Sequence, residues 1–148
     1  MERPSVFTVK LRVPEWTGAL AVSVDGAKPG AQSGQDGYVA LRREWRNGSQ
    51  VHVQLTLATR LIPMGKFGMC VMRGAEVMCL DMRDNPSLDL DTVVLPVGIN
   101  LEPAVADNGR RRFTAKVQVG GKLSDVLFTP YANVGGKNSR FRTLFPSQ

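Results

Sequence analysis

Carboxylate side chains are the first groups in this sequence that could carry out chemistry. Two carboxyl groups about 5–9.5 Å apart can hydrolyse a glycosidic bond, one acting as an acid and the other as a base or nucleophile. The chain offers Glu15, Glu44, Asp81 and Asp84, but their positions give no reason to pair any two of them. The run Asp89-Leu90-Asp91 resembles part of a calcium-binding loop. It lacks the glycine and the distal glutamate of a full loop, which favours a solvated linker.

Few residues in the chain could act as nucleophiles or metal ligands. His52 is the only histidine, and a catalytic histidine needs an orienting partner that the sequence does not indicate. We therefore predict an exposed structural histidine. Cys70 and Cys79 have no histidine or third cysteine at zinc-binding spacing, and no G-x-S-x-G nucleophile motif is present. The sequence predicts no catalytic residue, no metal site and no cofactor.

Four aromatic residues are candidates for carbohydrate binding, because a sugar ring can stack its apolar face on an aromatic ring. They are Trp16, Trp45, Tyr38 and Tyr131. Alternatively, these rings pack in a core or at its edge, as large aromatic side chains commonly do. Trp16 and Trp45 follow predicted strand ends, where each would cover the edge of a core. Both interpretations stay open, and core packing is favoured.

The sequence is basic, with 19 Lys and Arg residues against 13 Asp and Glu residues. A net charge of +6 at pH 7 is compatible with nucleic-acid binding. However, the basic residues are scattered in groups such as Arg42, Arg43 and Arg46, or Arg110 to Arg112. None of these groups has the spacing of a groove-reading helix. We therefore predict a solvated basic surface and no nucleic-acid partner.

Length and hydropathy are those of a single-domain globular protein. With 148 residues, the chain can bury a core without disulfides. No run of about 18 apolar residues is present, so we expect no membrane span. The first residues lack a charged start followed by an apolar stretch of signal-peptide length, which makes the cytoplasm the default location. A fragment of a secreted enzyme would look the same.

Alternating apolar and polar residues predict β-strands in the first part of the chain. The alternation over Phe7 to Val13 stops at Pro14, which cannot donate to a ladder. Leu20 to Val24 and Tyr38 to Arg42 are two further predicted strands. Val51 to Leu57 has the clearest alternation in the sequence. Glycine-containing turn signals separate these segments.

A central hairpin is predicted where Met69 to Arg73 and Glu76 to Leu80 flank the turn Gly74-Ala75. A two-residue loop would place Cys70 opposite Cys79 as a non-hydrogen-bonded pair, with Cα atoms about 4.5 Å apart. That separation is at the short end of disulfide geometry, about 4.4–6.8 Å. Two buried free thiols are favoured over a disulfide in a reducing cell.

The later segments continue the strand pattern. Residues 82–92 form a polar linker, Phe113 to Val119 alternates, and Leu123 to Thr129 follows a Gly120-Gly121 turn. About nine strands and no trustworthy helical spacing predict an all-β fold, an antiparallel β-sandwich. We assign residues 1–148 to one sandwich domain and keep the linker 82–92 as the alternative position of an internal boundary.

Several short motifs follow one another along the chain in a specific order. The first two are Leu11, Arg12, Val13, Pro14 and Trp16, then Val22, Val24, Asp25 and Gly26. The next are Gly37, Tyr38, Trp45 and Gly48, then Arg73, Gly74, Cys79 and Leu80, and finally Pro130, Tyr131, Asn133 and Gly135. In this order they resemble the region that follows the catalytic barrel in beta-L-arabinofuranosidase-like glycoside hydrolases. Departures from the family's motifs are Ser49, Ala75, Asp81 and Val134.

The resemblance implies packing rather than catalysis, since that region is a non-catalytic β-sandwich. The family's catalytic glutamate and zinc-site cysteines lie in a helical barrel, and no residue here matches them. We expect a non-catalytic accessory module that acts by packing or assembly, with a free-standing carbohydrate-binding module as the alternative. Its partner would be a second copy or another protein, with carbohydrate as a further candidate and no membrane. One face of the hairpin contains Met69, Val71, Met78 and Leu80; if this face is not fully covered within the monomer, we expect a dimer through it.

Overall fold

The fold is built from antiparallel strands in both parts of the chain. The computed structural model describes residues 3–28, 36–134 and 139–146. It divides into two units, Met1–Ala58 and Thr59–Gln148. The helical elements within the described ranges are 3₁₀ turns of three residues, and none of the helices described there is long and apolar enough to cross a membrane. The all-β, antiparallel fold class is confirmed.

The first unit consists of two two-stranded sheets. Its strands are β1 (Ser5–Arg12), β2 (Thr17–Val24), β3 (Tyr38–Trp45) and β4 (Val51–Leu57). β1 pairs with β3, and β2 pairs with β4. Each ladder therefore joins strands that are not consecutive in the chain. The four strands predicted from alternation in this part of the sequence are confirmed.

A small core lies between the two sheets of the first unit. Its buried residues are Val24, Leu41 and Trp45, against which Val9, Leu11, Val22, Val39 and Val51 pack. Val9 lies opposite Leu41 in the β1–β3 ladder, so both side chains point to the inner face. Because successive strand residues point to opposite faces, Lys10 lies on the outer face. The unit is a thin two-layer sandwich.

The second unit is a nine-stranded antiparallel sheet. Its strands are β5 (Thr59–Pro63), β6 (Met69–Arg73), β7 (Glu76–Asp81), β8 (Val93–Val94), β9 (Glu102–Asp107), β10 (Arg110–Val119), β11 (Lys122–Pro130), β12 (Phe141–Arg142) and β13 (Leu144–Phe145). The main path runs β13-β6-β7-β11-β10-β8, while β5, β9 and β12 pair with β6, β10 and β7. The turns Asn108-Gly109 and Gly120-Gly121 have the positive φ angles of tight hairpins. About nine strands were expected and thirteen are described, because strands of two residues carry no periodic pattern and because neither β5 nor β9 alternates clearly in its sequence.

A fork in the second sheet is filled by the C-terminal segment. β6 and β7 form the predicted hairpin, and Val71 lies opposite Met78. Beyond that pair the two strands separate, β13 pairs with β6 and β12 pairs with β7. Leu144 occupies the ladder position beside Cys70. The prediction that Cys70 faces Cys79 is therefore wrong.

The larger core belongs to the second unit. Its buried strand residues are Val71, Met78, Leu80, Val93, Phe113, Ala115, Val117, Val126, Phe128 and Phe145, while the connections flanking β8 supply Leu90, Leu95, Ile99 and Leu101. Val71, Met78 and Leu80 are 0% exposed. The condition for association through this hairpin face, that it is not fully covered within the monomer, is not met, because these side chains are buried within the chain. Residues 82–92 lie inside this unit, and the assignment of one domain to residues 1–148 stays a prediction.

Candidate functional site

Trp45, one of the four candidate aromatic residues, is a core residue of the first unit. It is 4% exposed, and its Nε1 donates a hydrogen bond to the carbonyl oxygen of Phe7 at 3.0 Å. The Phe7 and Trp45 ring centroids are 5.7 Å apart, and the guanidinium carbon of Arg43 lies 5.4 Å from the Trp45 ring centroid. The Trp45 ring is therefore not available to stack on a sugar.

The other three candidate rings are at least partly accessible. Tyr38 is 40% exposed and lies opposite Arg12 in the β1–β3 ladder. Trp16 is half-buried in the turn between β1 and β2. In the second unit, Tyr131 is 51% exposed and its ring packs on Phe141 with centroids 5.6 Å apart. Their role as sugar contacts stays a prediction. Gly135, the last residue of the final motif, lies outside the described residues.

Asp81 is the centre of a buried ion-pair cluster at the end of β7. Its side chain is fully buried. Arg83 donates to Oδ2 of Asp81 from Nη2 at 2.6 Å and from Nε at 3.0 Å, and the Ser139 hydroxyl donates to Oδ1 at 2.8 Å. Burial alone would raise the pKa of Asp81. The hydrogen bonds from Arg83 and Ser139 outweigh burial and lower that pKa to about 2.

Asp84 is the second buried carboxylate of this cluster. Nη2 of Arg110 lies 2.8 Å from Oδ2 of Asp84 and 3.3 Å from Oδ2 of Asp81. Nη1 of Arg112 lies 3.7 Å from Oδ1 of Asp84. Two carboxylates therefore face three guanidinium groups. The acid of a glycosidase needs a carboxyl group with a raised pKa, and Asp81 has the opposite.

Asn85 holds the loop after β7 against β11. The Asn85 side chain donates to the Leu127 carbonyl oxygen at 2.8 Å and accepts from the Leu127 amide at 2.8 Å. It also donates to the carbonyl oxygen of Asp81 at 3.0 Å. Asn85 thus pairs with the edge of β11 as a further strand residue would. The sequence signal for this arrangement was the charged run Asp81-Met82-Arg83-Asp84 directly after an apolar strand.

The acidic run Asp89-Leu90-Asp91 binds the C-terminal segment. The Asp89 side chain accepts a hydrogen bond from the Asp91 amide at 3.1 Å. The Asp91 carboxylate pairs with Arg140 at 2.8 Å and with Arg142 at 3.1 Å. These contacts assign the run to an ion-paired turn. Within residues 3–28, 36–134 and 139–146, no group of three or more His, Cys, Asp and Glu residues is placed to hold a metal ion.

Cys70 and Cys79 are buried free thiols. The Cys79 thiol donates to the carbonyl oxygen of Thr129 at 3.3 Å. Burial, followed by the nearby charges of Asp81 and Asp84, raises the pKa of Cys79 to about 12. Burial also raises the pKa of Cys70. Because the thiolate is the reactive form of cysteine, neither group is a nucleophile near neutral pH.

A cavity in the second unit has a volume of about 480 Å³. Ile99 and Leu123 contribute apolar surface to it, and its polar lining residues include Asn100, Glu102, Lys116 and Asp125. These polar groups already pair with each other. Asn100 donates to Glu102, and Lys116 contacts Asp125 at 3.0 Å. An occupant of this cavity would therefore have to compete with both pairs.

The first unit matches a known protein family over almost its whole length. Residues 1–57 match the family model described as the middle domain of GH127 beta-L-arabinofuranosidase. The match ends one residue before the first unit ends. The resemblance found in the sequence is confirmed. A search of the curated proteins finds no match.

Three solved structures share the fold over almost all of the chain. A glycoside hydrolase is 21% identical, with a TM-score of 0.72, and the match covers 96% of this chain and 28% of that one. A GH127 beta-L-arabinofuranosidase from Geobacillus stearothermophilus T6 is 19% identical, with a TM-score of 0.76, over 99% of this chain and 27% of that one. A GH127 beta-arabinofuranosidase is 21% identical, with a TM-score of 0.78, and the match covers 99% of this chain and 28% of that one. At these identities the structural likeness shows the fold alone.

Proposed function

We propose that this chain is a non-catalytic accessory β-module of glycoside-hydrolase type that acts by packing against a second copy or another protein. The observation that carries the proposal is the match between residues 1–57 and a GH127 middle domain, which coincides with the two-sheet unit ending at Ala58. The structurally similar chains are more than three times as long as this chain.

The buried carboxylates support a structural role. Asp81 and Asp84 are held by arginine side chains, and the pKa of Asp81 is lowered to about 2. A carboxyl group that remains ionised at neutral pH and is already bonded to a cation is a poor proton donor. These two side chains instead hold the loop after β7 in place.

Exposed apolar residues in the first unit support docking. Val53 and Leu55 of β4 are 40% and 38% exposed. They point to the same side of the strand as Val51, which packs on the core. Across the ladder they lie opposite Val22 and Leu20. The inner face of the β2–β4 sheet therefore has apolar side chains that its own core does not cover. Covering these side chains with a partner would be favourable.

Light scattering on the purified chain over a micromolar concentration series tests this proposal. The wild-type chain is expected to associate, and the double variant Val53→Ser/Leu55→Ser is expected to stay monomeric. The matched control Gln54→Ser/Thr56→Ser changes the opposite face of the same strand and should associate like the wild type. A wild-type chain that is monomeric throughout the series would exclude self-association through this face. Turnover of an aryl glycoside that persists through purification would exclude a non-catalytic role.

A further inference from the structure

The outer face of the β1–β3 sheet carries three exposed cations and one exposed tyrosine. Alternation along β1 places Lys10 and Arg12 on the side away from the core, and alternation along β3 places Tyr38 and Arg42 on that same side. All four residues are exposed. Within the described residues, the three cations form no ion pair with an acidic side chain.

The strand register brings these four side chains together. Arg12 lies opposite Tyr38, and Lys10 lies opposite Ala40. Alternate residues on a strand are about 6.8 Å apart, and diagonal neighbours across a ladder are about 7–8 Å apart. Arg42, two residues beyond Ala40, is such a diagonal neighbour of Lys10. The three cations therefore surround Ala40, whose side chain is a single methyl group and projects less from the sheet than theirs do.

The neighbouring arginines of the same unit are neutralised, in contrast to these three cations. Arg43 contacts Asp25 at 3.1 Å, and Arg46 contacts Glu44 at 2.9 Å. Glu44 lies opposite Val6, towards the far end of the β1–β3 ladder. Like charges that lie about 7–8 Å apart on one sheet face repel each other. An anionic ligand would remove this repulsion.

We propose that this face binds a carboxylated polysaccharide, a polymer of uronic-acid residues. The guanidinium groups of Arg12 and Arg42 can each bind a carboxylate with two hydrogen bonds, and the ammonium group of Lys10 can bind a third. The ring of Tyr38 offers a surface on which a sugar ring can stack. Ala40 leaves the centre of the face low, so an extended polymer can lie across it. This inference rests on the proposed accessory function and gives it an anionic glycan as its ligand.

The single aromatic ring favours a glycan over a single-stranded nucleic acid. Proteins that bind single-stranded nucleic acid without sequence preference stack successive bases on several aromatic side chains along a charged groove. On the outer face of β1 and β3, Tyr38 is the single aromatic residue.

Binding of polygalacturonate to the purified chain at low salt tests the inference. Isothermal titration should show binding that weakens as salt is added, with no binding to neutral arabinan. The double variant Lys10→Ser/Arg12→Ser should weaken binding at least about tenfold, because each lost contact is a hydrogen bond to a charged group. The control Lys66→Ser/Lys122→Ser removes the same charge from exposed sites in the second unit and should bind like the wild type. Tyr38→Ala should weaken binding about threefold or more.

Three results would overturn the inference. They are no binding of polygalacturonate by the folded wild-type chain, an equal loss of binding in the control variant, and equal or tighter binding of an oligo-deoxythymidine. Circular dichroism and an unfolding midpoint confirm that each variant is folded. Failure of the glycan inference is distinguishable from failure of the proposed accessory function. The accessory function fails if the chain stays monomeric or hydrolyses an aryl glycoside, and neither result depends on polygalacturonate binding.

Discussion

Gly68 lies directly against the carbonyl group of Phe145. A Cβ atom on Gly68 would overlap the Phe145 carbonyl oxygen and lie 2.9 Å from its carbonyl carbon. Gly68 also has a φ angle of 98°, which residues with a side chain rarely adopt. We expect Gly68→Ala to move β13 away from β6 and to lower the free energy of unfolding by about 2–4 kcal/mol.

Urea unfolding measures this effect, with Gly98→Ala as the control. Gly98 has no atom within 4 Å of the position of an added Cβ, and its φ angle is not positive. Its substitution should change the free energy of unfolding by less than about 1 kcal/mol. Equal stabilities of the two variants would contradict the close contact between Gly68 and β13.

Phe145 anchors the C-terminal segment in the core of the second unit. It is 0% exposed, and its ring centroid lies 6.0 Å from that of Phe128. Phe145→Ala should cost about 3–5 kcal/mol, because the buried ring leaves a cavity. Phe141, in the same segment, is 39% exposed, so Phe141→Ala should cost less than half as much. Similar shifts of the urea midpoint for both variants would argue against the buried position of Phe145.

Asp81 should make the stability of the chain depend on acid pH. Its pKa is lowered from 3.8 to about 2 in the folded state. A lowered folded-state pKa stabilises the fold above the unfolded-state pKa, and this contribution is lost as pH falls from about 4 to about 2. The pKa difference corresponds to about 2 kcal/mol. The free energy of unfolding, measured across this range, should fall more steeply with acid in the wild type than in Asp81→Asn. The control Asp125→Asn, at an exposed ion pair, should keep the wild-type slope, and identical slopes in all three proteins would refute the assignment.

The two cysteine thiols should be unreactive in the folded chain. Cys79 is 0% exposed, and its pKa is raised to about 12, so the thiol stays protonated up to strongly alkaline pH. Ellman's reagent at pH 8 should therefore modify neither Cys70 nor Cys79 in the native protein. After denaturation it should modify both of the cysteines that the chain contains. Rapid labelling of native protein would show that the thiols are accessible.

Local sequence patterns were sufficient for the longer alternating strands and for the tight turns that the sequence marks with glycine. Alternation predicted β1 and β4 because one face of each strand is apolar, and Gly120-Gly121 predicted a tight turn, in which both residues have positive φ angles. Such signals depend on neighbouring residues alone. For the same reason they predicted the β6–β7 hairpin, whose ladder extends from the turn as far as the pair of Val71 and Met78.

Arrangements that depend on distant residues were not predictable in this way. The sequence around Cys70 does not show that Leu144 occupies the ladder position beside it. The sequence did not show that Asp81 is held in an ion-pair cluster, because two of its partners, Arg110 and Ser139, lie far along the chain. Trp45 follows an alternating strand, but its burial depends on packing against a second sheet. In each case, tertiary contacts determined the role of a residue whose local pattern was ambiguous.

The fork between β6 and β7 has a consequence for synthesis of the chain on the ribosome. β13 pairs with β6 through residues more than 70 positions apart in the sequence, so the hairpin emerges long before the segment that fills its fork. During that interval the separated ends of β6 and β7 expose unpaired backbone groups next to apolar side chains, which favours binding by chaperones or aggregation. Codon changes that slow translation after residue 81 would lengthen this interval and lower the soluble yield without altering the finished protein.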